Sequence, residues 1–139
     1  MKKIILILIL IFSSFGFAQN EVVASFLEKW ENSKTYLMEI ANAMPDDKYD
    51  FKPTKREMSF SEQLLHIKGN MDWLSTSYFT DEKFEKKKDE ITYSKEEIIA
   101  MLSNSFDAVS EIIKNTKSET LNEKVDFFAG EKTKLQILN

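Results

Sequence analysis

The sequence has no cysteine, a single histidine, two prolines and three glycines among its 139 residues. Without cysteine there can be no disulfide, thiol nucleophile, thiolate metal ligand or lipid-modified N-terminal cysteine. Stability must therefore come from a packed core. Three scattered glycines leave no glycine-rich loop to cradle a phosphate, and neither a Ser-His-Asp set nor a catalytic carboxylate pair can be assigned. Positive charge is in the minority, 19 Lys and Arg against 23 Asp and Glu. The one basic run, Lys86-Lys87-Lys88, is hemmed in by Glu82, Glu85, Asp89 and Glu90, and the formal net charge is −4. A chain of this balance repels a phosphate backbone, so no nucleic-acid partner is expected and the run reads as a solvated linker.

What is present begins with an address. Lys2 and Lys3 form a positive start, Ile4 to Phe12 is unbroken apolar sequence, and Gly16-Phe17-Ala18 has the small-x-small pattern of a cleavage site. Nine apolar residues are too few to span a bilayer. Residues 1–18 are therefore expected to be a signal peptide, with a mature domain over 19–139 that is exported, periplasmic or secreted, and not membrane-bound after cleavage. Loss of Lys2 and Lys3 takes the formal charge from −4 to −6.

The mature segment is patterned for helices. The stretch Ser59 to Tyr78 carries Phe60, Leu64, Ile67, Met71, Leu74 and Tyr78 in steps of four and three, which lay one apolar stripe along a helix. Ser59 and Glu62 make a capping box at its start, and Ser94 with Glu97 makes another ahead of Ile98, Leu102, Phe106, Val109 and Ile113. An earlier helix from about Glu21 to Met44 places Val23, Phe26, Leu27, Trp30, Leu37, Ile40, Ala41 and Met44 on one face, and Pro45 stops it. Three long helices are thus expected near 21–44, 59–79 and 94–116. The connector Tyr49 to Pro53 should fold its two aromatics, Tyr49 and Phe51, back onto them. Thr80 to Thr92 reads as a charged crossover, and Val125 to Phe128 as a short apolar run in a connector with Gly130 at a turn. Trp30 and Trp73 read as core residues rather than as a substrate platform.

The end of the sequence opens a further element. Thr133 and Gln136 form a third capping box, and Leu135 with Ile137-Leu138 supplies the first apolar positions of another helix, yet the sequence stops at Asn139. Helices shorter than about 12 residues are marginal alone. The expected fold class is accordingly all-α, an up-and-down helical bundle with three long helices and the start of a fourth, incomplete at its C-terminal side. A three-helix bundle with a frayed tail is the alternative.

Several of these stretches together resemble the DinB-like family. They are Met44 to Pro53 (MPDDKYDFKP), Ser59 to Ile67 (SFSEQLLHI), Ser105-Phe106-Asp107, and Gly130 to Leu138 (GEKTKLQIL), in that order along nearly all of the mature segment. The resemblance implies a four-helix bundle that holds one divalent metal, zinc or nickel, through three histidines. His66 matches the first of these ligands. The other two belong to an H-x-x-x-H arrangement on the fourth helix, which would follow Leu138, so tight metal binding is not expected of these residues alone.

Read from the residues only, a lone histidine beside an apolar stripe is more often a hydrogen-bonded edge residue than a ligand. Gln63, Asn70 and Trp73 share its edge, and Glu62, one turn earlier, is either a carboxylate orienting the ring or simply a cap. Two functional readings follow. In the first, the protein is a metal-dependent enzyme, of the thiol-dependent transferase or isomerase type, acting on a small molecule; the metal would lower the pKa of a bound thiol or water. In the second it is a non-catalytic exported bundle that binds a ligand or a protein. The sequence leaves a homodimer open in either case.

Overall fold

The computed structural model describes residues 2–86 and 92–138, with side-chain surroundings from residue 21 onward. Among the described residues there are four helices: α1 (Lys2–Ala43), α2 (Phe60–Phe79), α3 (Lys95–Lys114) and the short α4 (Lys134–Leu138). Single 3-10 turns occur at Asp46–Lys48 and Ser118–Asn122, and two strands, β1 (Lys124–Phe127) and β2 (Gly130–Thr133), lie between the second of these and α4. The long crossover between α2 and α3 includes Lys87, Lys88, Asp89, Glu90 and Ile91, which lie outside the described residues.

Local chemistry sets the helix boundaries. The amide of Ser59 donates to Glu62 Oε2 at 2.6 Å while Ser59 Oγ accepts from the Glu62 amide at 3.2 Å, so two backbone N–H groups left open at the start of α2 are satisfied reciprocally. Ser94 and Glu97 repeat the arrangement at α3, at 2.8 and 3.2 Å. Thr133 and Gln136 repeat it at α4, at 2.9 and 3.2 Å. Helix α1 ends at Ala43, two residues before Pro45, because the residue preceding a proline is pushed out of the α region. At its other end α1 does not begin near Glu21 but continues back to Lys2 as one helix.

The core is built on α3. Ile98, Leu102, Phe106, Val109 and Ile113 are all buried, and they pack in one cluster with Ala41 and Tyr49 and with Leu64 and Met71 of α2. Helix α3 contacts both of its long neighbours, α1 on one side and α2 on the other. The two flanking helices are therefore only half covered: along its described side chains α1 buries Ala41 alone, and Val23, Phe26, Leu27, Trp30 and Leu37 stay partly exposed. Trp30, read as a core residue, is partly buried and packs against the core. Its ring lies 4.8 Å from that of Phe106 and its indole N–H donates to the Phe106 carbonyl at 3.0 Å.

Three further expectations need correction. Ile40 is 39% exposed, since Ala41 takes the seat against the core and the apolar stripe of α1 is wider than the surface α3 offers it. Phe51 is also exposed, while Tyr49 alone folds inward; the turn at Lys48–Phe51 directs the two side chains apart. The carbonyls of that connector have their own use, for Tyr49 O accepts from the Ser61 amide and Phe51 O from the Phe60 amide at the start of α2.

The third correction is the hairpin. The helices sit beside a small sheet, because the segment read as a connector pairs β1 with β2 in antiparallel register, Lys124 with Thr133 through Phe127 with Gly130. Gly130 has φ +95°, a backbone state that glycine adopts without the Cβ clash. Val125 and Phe127 face inward and Lys124 and Asp126 outward. Phe127 packs on Tyr78 at 5.2 Å and Phe128 on Trp73 at 5.6 Å, which fastens the hairpin to the C-terminal half of α2.

Candidate functional site

His66 lies in the middle of α2 on an exposed part of its surface. Leu64 and Met71 are buried on the face of α2 packed against α3, and since a helix advances about 100° per residue, position 66 is carried about 200° round from Leu64, to the side of α2 away from that face. One turn on, Asn70 Nδ2 stands 3.1 Å from His66 Nε2, the i, i+4 neighbour relation of a helix. Gln63 is exposed on the same side and Trp73 is half-buried under Phe128. The strip of His66, Asn70 and Trp73 foreseen from spacing is therefore present, on the side of α2 turned away from the Leu64 and Met71 face.

Glu62 does not orient the histidine. Its carboxylate is held by the Ser59 amide and by Lys52 Nζ at 2.8 Å, a commitment to the helix cap. The hydrogen bond from Lys52, then that from the Ser59 backbone, hold this carboxyl below the usual glutamate range. A carboxylate whose folded-state pKa is depressed adds stability above its unfolded pKa, and that stability is lost as pH falls through the folded value. Glu62→Gln is thus expected to lower Tm near neutral pH and to flatten part of the decline in Tm below about pH 4.5, which thermal melts between about pH 3 and 7 would show. Parallel curves for the two proteins would contradict it.

A centre of the implied kind needs three protein ligands and an open position for water or substrate. Among the described residues no group of three or more His, Asp or Glu side chains is gathered where it could hold a metal ion. The nearest carboxylate on the same helix beyond Asn70, Asp72, is engaged elsewhere: its Oδ1 accepts from the Ser105 hydroxyl at 2.7 Å and its Oδ2 pairs with Lys68 at 2.8 Å. The first of these contacts ties α2 to α3. The described residues thus offer one imidazole and do not by themselves fit a three-ligand metal.

A feature that the sequence did not reveal lies at the end of the bundle, where α1 finishes and α2 and α3 begin. A cleft of about 680 Å³ is lined there by Tyr49, Lys52, Glu62, Leu65, Tyr93 and Lys95, among others. Lys95, the first residue of α3, donates to the carbonyls of Asn42 and Met44 at 3.0 and 2.8 Å, and pairs with Asp46 at 3.0 Å. It closes the C-terminal end of α1, where carbonyls lack helical partners and the helix dipole favours a cation. The Tyr49 phenol donates to the Ala41 carbonyl at 2.7 Å; burial first, then the Asp46 and Glu96 carboxylates, push its pKa up, which keeps the donor proton in place. A second hollow of about 400 Å³ runs beside α1 and is lined by Phe26, Trp30 and Leu138 among others. His66 lines neither.

Three long helices around a shared core, with a polar edge on the second, define a helical-bundle protein. The model of the DinB family matches residues 17–139, and the chain belongs to that family. No curated protein matches the chain.

Proposed function

We propose that this DinB-family protein is exported and acts on a small molecule with the help of a divalent metal, zinc or nickel, for which His66 is the ligand contributed by α2. The observation that carries the reading is the position of His66, exposed on the side of α2 away from α3, within the Gln63 to Ile67 motif of a family that often binds such a metal. Such a centre would need donors in addition to His66, and the reaction is of the thiol-dependent transferase or isomerase type. Metal analysis of protein purified from its native source tests this. One equivalent of zinc or nickel per chain is expected. Metal-free protein would favour the second reading, a non-catalytic exported bundle that binds a ligand or partner, which the lack of a gathered donor set among the described residues supports.

Export rests on the charge and apolar pattern of Lys2 to Ala18, and the family match leaves residues 1–16 outside it. Mass spectrometry of protein recovered from the periplasm or medium is expected to give Gln19 as the N-terminal residue. Protein that retains Met1 and fractionates with the cytoplasm would contradict export.

A further inference from the structure

We draw no further inference here: the strongest candidate, the polar cleft at the bundle end between Tyr49 and Lys95, carries nothing because its two lysines are already held by Asp46 and Glu62, and what remains, two capped helix N-termini and a few carboxylates, identifies no ligand.

Discussion

Leu102→Ala is expected to lower the free energy of unfolding by about 2–5 kcal/mol, the range for large-to-small changes at fully buried sites. Leu102 has no exposed surface and sits midway along α3, the helix that contacts both α1 and α2. Shortening it removes the isopropyl group from the place where the long helices share a core. The space can close only if a whole helix shifts, so the cavity persists and adds to the lost transfer energy. Against a total stability of about 5–15 kcal/mol for a domain, the loss is a large fraction. Urea denaturation followed by circular dichroism measures it, with Ile40→Ala as a comparison on the exposed side of α1. A Leu102→Ala cost below about 1 kcal/mol, no larger than that of Ile40→Ala, would contradict the central role given to α3.

Lys95→Met is expected to cost about 2–3 kcal/mol, from the worth of hydrogen bonds made by a charged group. The Lys95 side chain is only 15% exposed, donates to two carbonyls at the end of α1, and places its ammonium 5.7 Å from the centre of the Tyr49 ring. Methionine keeps most of the stem but leaves the Asn42 and Met44 carbonyls without this donor. Asp46, by contrast, is 75% exposed, so its ion pair with Lys95 is screened by water and contributes little. Asp46→Ala should therefore cost under about 1 kcal/mol. Hydrogen exchange should also speed up over the last turn of α1 in Lys95→Met, because that turn is held by the lysine. Equal and small effects of the two substitutions would mean that the contact is a surface ion pair and no more.

These two residues also mark what could be read in the sequence and what could not. Leu102 was legible because α3 is covered on a broad face, so its burial follows the helical period and the stripe of Ile98 to Ile113 holds throughout. The same rule failed at Ile40, since a flanking helix has fewer seats than apolar residues and periodicity does not say which side the neighbour covers. The three capping boxes were legible because each is a contact over three residues with its own chemistry. The Lys95 contacts span 53 and 51 residues, and no local pattern announces them. The hairpin was missed for a different reason. Strands of four residues show at most two alternations, too few to separate Val125 and Phe127 from a loop that carries apolar residues. His66 itself was legible through its motif, and its contact with Asn70 through helical spacing. What lies around the ring beyond α2 depends on how elements pack, which spacing along one helix does not determine.

The proposed role of His66 can be tested most directly by calorimetric titration of zinc into the protein purified from its native source and stripped of metal, alongside its His66→Ala variant. Because His66 is the sole histidine of the 139 residues, no other imidazole among them can replace it. The intact protein is predicted to bind one equivalent, and His66→Ala to bind at least about 100-fold more weakly, given that loss of a residue merely supporting a ligand costs about 10–100-fold. One-equivalent binding with the same affinity in both proteins would contradict the assignment of His66 as a metal ligand.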